Sequence, residues 1–173
     1  CVPDEPLDIP WESCITLGTS FSFVYEDTYK APREVICLLV DIVVKGGNLA
    51  LNVGPQPDGR LPKGAVESLR GIGEWLGVYG DAIYGTRPCA PYKKDGIGFT
   101  QKDNVAYAIQ TFAVETDAVS ETVWIPYESS VQKITALDTG AVLSFERKNG
   151  GYLVTAEPWA GDKTPIGRVF CLH

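Results

Sequence analysis

Residues 31–55 read APREVICLLVDIVVKGGNLALNVGP, and the reading of this stretch decides the fold class. Pro32 suits a first helical position, where its missing N–H costs nothing, and Glu34 puts a carboxylate in the first turn. Val35, Leu38, Leu39, Ile42 and Val43 then recur at the i, i+3, i+4 spacing of an amphipathic helix. Lys45-Gly46-Gly47 supplies the cation and glycine of a helix C-terminus. The run NLALNV that follows is too short for a helix and ends at Gly54-Pro55, which suits a buried parallel strand.

Working outward, GPQPDGRLP holds three prolines and an Asp-Gly pair, a loop of fixed shape. A second helix is expected from about Pro62 to near Gly80, with Ala65, Leu69, Ile72, Trp75 and Leu76 on one face. Helix, strand, helix is a fragment of an α/β architecture, because one strand alone leaves both its edges unpaired. The first 85 or so residues are therefore expected to be the end of a larger barrel or doubly wound domain. The chain has no methionine, even at position 1, which agrees with a processed, trimmed or partial polypeptide.

After YGTRPCAPY the period changes to two. GIGFTQ, VAYAIQTF, ETVWIP, VQKITALD, AVLSFERK, YLVTAE and GRVFCLH are seven short β-rich runs separated by turns. They predict an antiparallel sandwich or half-barrel, with the Pro-rich TRPCAPYKK as the boundary before it.

A net charge of −7 over 173 residues argues against nucleic acid as a partner, since phosphates need Lys and Arg to neutralise them. The longest apolar run, VICLLVDIVV, is interrupted by Asp41 and falls short of the roughly 18–20 residues of a membrane span, so no membrane insertion is expected. Five cysteines, at 1, 14, 37, 89 and 171, show no metal spacing; the odd count leaves at least one thiol unpaired. Cys37 reads as a helix-core residue and Cys171 as a strand residue. The single histidine, His173, has no Ser, Cys or metal-ligand partner in the pattern. No dinucleotide, P-loop, GxSxG or HExxH motif is present.

Chemistry gathers in IPWESCITLGTSFSF, residues 9–23. A carboxyl group pressed against an indole loses hydration and holds its proton nearer neutral pH, which suits a general acid for a glycosidic oxygen. Trp11-Glu12 has that form; the plainer reading is a surface carboxylate beside a core tryptophan. Trp11, Phe21, Phe23, Tyr25 and Tyr29 are aromatic faces on which the C–H side of a pyranose stacks, or covers for a sheet end. Asn48 and Asn52 lie on one face of the strand, and Asn52, at its C-terminal end, is the better placed for a site.

The segments PWESCITLG, SFSF, LLVDIVVKGGNLALNVGPQPDGRLP and GEWLGVYGDAIYGTRP, taken in order, resemble the C-terminal part of the catalytic domain of family 29 α-L-fucosidases. The resemblance covers residues 10–88 by motif and the remainder in character. It implies two parts: residues 1–88 as the C-terminal portion of a (β/α)8-like barrel, and residues 89–173 as a small antiparallel β-sandwich. It further implies a retaining exo-glycosidase that releases terminal α-L-fucose from glycans or glycoconjugates, with two carboxylates and neither metal nor cofactor. The Asp nucleophile would lie upstream, so the remainder of the barrel is a required partner and the isolated chain is expected to be inactive. Glu12 matches the acid/base in part of the family, the position lying upstream in other members. Phe21 matches an aromatic that packs on the edge of fucose, with Ser22 where the family has Gly, and Trp11 is the neighbour of Glu12. An exported or lysosomal location is implied by the glycan substrate alone. The competing expectation is a non-catalytic carbohydrate-binding or structural module, with Trp124, Tyr127 and Trp159 as a stacking platform.

Overall fold

The computed structural model describes residues 2–173, so Cys1 lies outside the described residues. Strand β1 (Trp11–Thr16) is followed by helix α1 (Pro32–Val44), strand β2 (Gly47–Asn52) and helix α2 (Lys63–Tyr79), which runs into a single 3-10 turn at Gly80–Ala82. Pro32 opens α1 with Glu34 in its first turn. After Lys45 the chain turns at Gly46, whose φ of 82° lies in the left-handed region that glycine enters without strain. β1 and β2 pair in parallel from Trp11↔Gly47 to Thr16↔Asn52. Together with α1 they form a β-α-β unit, of which β1 was not foreseen. WESCIT carries four small or charged residues among its six and buries only Ser13, so no alternating apolar signal marks it.

Eight further strands form one antiparallel sheet: β3 (Arg87–Lys94), β4 (Ile97–Lys102), β5 (Val105–Thr111), β6 (Thr122–Ile125), β7 (Ile134–Ala136), β8 (Val142–Lys148), β9 (Gly151–Thr155) and β10 (Gly167–Leu172). Their order is β3-β4-β5-β10-β7-β8-β9-β6. The sheet curls until its ends meet: the Phe99 ring of β4 stacks on Tyr127, just past β6, at 5.8 Å between centroids. All seven β-rich runs of the sequence become strands. β3 is the one not anticipated, because it runs through the Pro-rich segment read as a boundary. Its two prolines are tolerated because β3 is an edge strand with an irregular register between Pro88 and Lys93.

Two cores result. One fills the curl, with Phe99, Ile125, Ile134, Tyr152, Val154, Phe170 and Leu172. The other lies between the curled sheet and the helices, and joins Val35, Ile36, Val40, Ile72 and Trp75 to Tyr107, Ile109, Val169 and Cys171. Helix α1 sits on β4 where a Cβ on Gly98 would meet Val44 Cγ1 at 2.8 Å. The face of α1 read from periodicity is therefore too narrow: Val40 and Val44 are also buried, because the helix is covered on the sheet side as well. A division between residues 88 and 89 falls inside β3, and the second core joins the parts on either side of it. Arg33 ties them further, its Nη1 donating to Phe112 O and Pro165 O at 2.8 Å each and its Nη2 to Thr164 O at 2.7 Å.

Candidate functional site

In open parallel sheets and barrels, sites form beyond the C-terminal ends of the strands. Here that end is marked by Thr16 and Asn52, paired with each other. The chain leaves β1 through Leu17, whose N–H donates to Asn52 O at 2.8 Å, and enters the loop that carries the aromatics. That loop crosses directly over the end of β2: a Cβ on Gly54 would lie 2.5 Å from the Phe23 backbone N and 2.6 Å from Ser22 C. The Gly54 expected merely as a strand terminator thus also permits this close crossing. Phe21 (60% exposed) and Tyr25 (78% exposed) stand outward from it, and Phe23 meets Tyr25 edge-on at 4.9 Å.

Asp27 pins the loop. Its Oδ1 accepts from the Thr19 hydroxyl at 2.7 Å, the Thr19 N–H at 3.1 Å and the Thr28 N–H at 2.8 Å. The Thr19 hydroxyl above all holds this carboxyl below its ordinary value of 3.8; burial opposes it, and the Thr19 and Thr28 N–H groups add to the lowering. A depressed carboxylate contributes order above its unfolded value and loses that contribution as pH falls through the lower folded value. The Thr19 amide resonance should accordingly titrate with a midpoint below 3.8, and in Asp27→Asn it should not titrate at all. A midpoint at or above 3.8 would remove the pin. Sequence reasoning passed over Asp27, whose partners are the adjacent Thr28 N–H and the distant Thr19.

Beneath the loop, Asn52 Oδ1 is buried without a hydrogen-bond partner among the described residues. The Asn52 backbone, not its side chain, is what anchors the loop.

Trp11 and Glu12 lie at the other end of β1. Successive strand residues face opposite sides. Trp11 therefore faces α1, where its Nε1 donates to Lys45 O at 3.2 Å and its ring covers Gly47. Glu12 is exposed on the opposite face, level with Asn48. The expected desolvation of Glu12 by the Trp11 indole does not occur in this chain, because the pleat turns the two side chains apart. Glu12 shares its open face with Thr16 and Asn52, but stands four residues, about 13 Å, below them. The structure thus gathers Phe21, Phe23, Asn52 and Gly54, and leaves Trp11 in the packing of the α1–β2 junction.

Of the proposed stacking platform on the curled sheet, Trp124 is half-buried over Gly151 and Tyr127 is taken up by Phe99. Trp159 alone of the three is open, at 47%. Cys171 is buried in β10, and Cys37 is half-buried, its Sγ 4.0 Å from Phe112 O. The His173 ring lies 3.1 Å from Thr135 Oγ1, fastening the end of β10 to β7. Among the described residues no group of three or more His, Cys, Asp or Glu is placed to hold a metal ion, and no helix is long and apolar enough to cross a membrane.

Comparison with known proteins bears on this arrangement. A family model described as α-L-fucosidase matches residues 1–81. An α-L-fucosidase of Branchiostoma floridae is 32% identical over 157 residues, 87% of this chain and 34% of that relative. The solved α-fucosidase of Thermotoga maritima, in complex with fucose, superposes with a TM-score of 0.85 at 31% identity over 99% of this chain and 41% of its own. A family 29 α-L-fucosidase of Bacteroides thetaiotaomicron, trapped as a covalent intermediate, gives 0.83 at 26% identity over 100% of this chain and 41% of its own. The chain spans about a third of the length of the curated relatives it matches.

Proposed function

We propose, on the premise that this chain belongs to the α-L-fucosidase family, that it forms the late rim of the active site of a retaining exo-α-L-fucosidase that releases terminal α-L-fucose from glycans. The observation that carries this reading is the Phe21–Phe23 loop laid across the C-terminal end of β2 at Gly54, with the unpaired Asn52 Oδ1 below it. An exposed aromatic such as Phe21 on a loop that crosses the strand end is suited to a sugar, whose C–H edge stacks on a ring. Phe21 is the aromatic proposed to pack on that edge.

Retention requires two displacements at the anomeric carbon. An upstream Asp, outside this chain, attacks the carbon as the glycosidic C–O bond breaks, and an acid protonates the departing oxygen. The same group, now a carboxylate, takes a proton from the water that cleaves the fucosyl ester. Glu12 is the proposed acid/base. That assignment rests on the resemblance alone: along β1 Glu12 stands four residues, about 13 Å, from Thr16 and Asn52 at the strand end. Among the described residues Glu12 is exposed, so on this reading its cover is supplied by the remainder of the protein.

The test is product stereochemistry in the full-length protein. Proton NMR of an aryl α-L-fucoside digest should show α-L-fucose first, with the β anomer growing in only by mutarotation. β-L-fucose as the first product would overturn the reading. Phe21→Ala should raise KM about tenfold with a smaller change in kcat, the signature of a lost ground-state contact. An unchanged KM would place the sugar elsewhere.

A further inference from the structure

A second concave site lies on the curled sheet, away from the parallel strands. A cavity of about 270 Å³ opens between the end of α2, the β7–β8 turn and the β9–β10 loop. That is close to the lower end of small-molecule sites, roughly 300–1,000 Å³, and suits one ring rather than a chain of them. Trp159 stands at its edge. The indole Nε1 donates to Lys163 O at 2.7 Å, so the ring is held in place by its own loop and loses little freedom on binding.

The polar groups of the cavity converge from separate elements. Tyr79 at the end of α2 donates its hydroxyl to Asp138 Oδ2 at 3.2 Å. Asp138 Oδ1 accepts from the Thr139 N–H at 3.0 Å, and the Thr139 hydroxyl donates to Glu157 Oε2 at 3.0 Å. Each carboxylate has about four acceptor sites, so both keep capacity for further donors. Arg168 lies between the rings of Phe112 and Phe170, 5.8 and 5.5 Å from their centroids. Its Nε donates to Gln110 Oε1 at 2.8 Å and its Nη2 to Ser120 O at 2.7 Å, which leaves Nη1 without a hydrogen bond among the described residues.

We propose that this cavity is a non-catalytic binding site for a single neutral pyranose of a glycan, stacked on Trp159 and held through its hydroxyls by Asp138, Glu157 and Arg168. The chemistry selects that class. A rigid, open indole offers an apolar face; carboxylates with spare lone pairs take hydroxyl donors; a guanidinium with a spare N–H gives one back. Two carboxylates beside a single guanidinium disfavour an anionic ligand. Such a site would hold the enzyme against the glycan it trims, independently of the reaction at the strand ends.

The experiment uses the full-length protein with methyl α-L-fucoside, methyl β-D-galactoside and the methyl glycoside of N-acetyl-D-glucosamine as probes, titrated in a calorimeter. The expected result is millimolar binding of at least one probe that Trp159→Ala weakens about tenfold or more, with kcat/KM for an aryl fucoside unchanged. Arg168→Lys should weaken the same binding while keeping the charge, because an ammonium lacks the planar fork. Absence of any binding that Trp159→Ala removes would overturn the proposal. A fall in kcat/KM in Trp159→Ala would overturn it too, by assigning the cavity to the active site. Failure of fucosidase activity itself would leave the titration readable, so the two readings fail separately.

Discussion

Glu12→Gln in the full-length protein should slow hydrolysis of natural fucosides by about 10²–10⁴-fold, while aryl fucosides with good leaving groups lose about tenfold or less in their first step. The difference follows from the role. A natural glycan leaves as an alkoxide unless a proton arrives during bond cleavage, whereas an activated phenolate departs without one. Glutamine keeps the shape and removes the proton. Because the same group activates water in the second displacement, added azide should restore turnover and give a fucosyl azide of retained configuration. Equal losses on both substrate types, or none, would assign the acid to a carboxylate upstream of this chain. The position of Glu12 at the start of β1, at the opposite end of the strand from the Phe21–Phe23 loop, makes this measurement decisive.

Arg33→Ala should lower stability by about 3 kcal/mol, read as a shift of the urea midpoint of the full-length protein. The guanidinium serves three carbonyls, those of Phe112, Thr164 and Pro165, on two segments far from α1 in sequence. Truncation removes every donor at once and leaves partly buried acceptors unpaired. Arg33→Lys should recover only part of the loss, since a point charge on one nitrogen cannot reach three oxygens in a plane. A midpoint unchanged in Arg33→Ala would mean that water replaces the side chain at those carbonyls, and that the second core alone joins helix to sheet.

Most of the architecture was legible because its signals are local. Pro32, Glu34 and Lys45-Gly46 bracket α1, and turn residues separate the seven β-rich runs. β1 and β3 escaped because each owes its strand state to a neighbour: β1 to pairing with β2, β3 to pairing with β4 despite two prolines. At the candidate site, Phe21 and Asn52 could be singled out from residue type and position along the strand. Of the two readings of Trp11-Glu12, the structure matches the plainer one, an exposed carboxylate beside a packed tryptophan, because the pleat turns the two side chains to opposite faces. Asp27 was missed because a residue that organises a loop through backbone N–H groups has no periodic signature. Trp159 could be separated from Trp124 and Tyr127 only once burial was known.

In most antiparallel sheets one alternating set of positions meets water, and there a sequence can wander without penalty. β5 and β10 have no such set. Ala106 and Ala108 face the curl while Tyr107 and Ile109 face the helices, and Phe170 and Leu172 alternate in the same way with Val169 and Cys171. Over 106–109 and 169–172 both registers are therefore closed to polar replacement, while Gln110 and Arg168 at the adjoining end of the pair are only partly buried. A change of volume at any of these positions has to be matched by the layer it packs against, so this stretch of two strands couples the core inside the curl to the core under the helices.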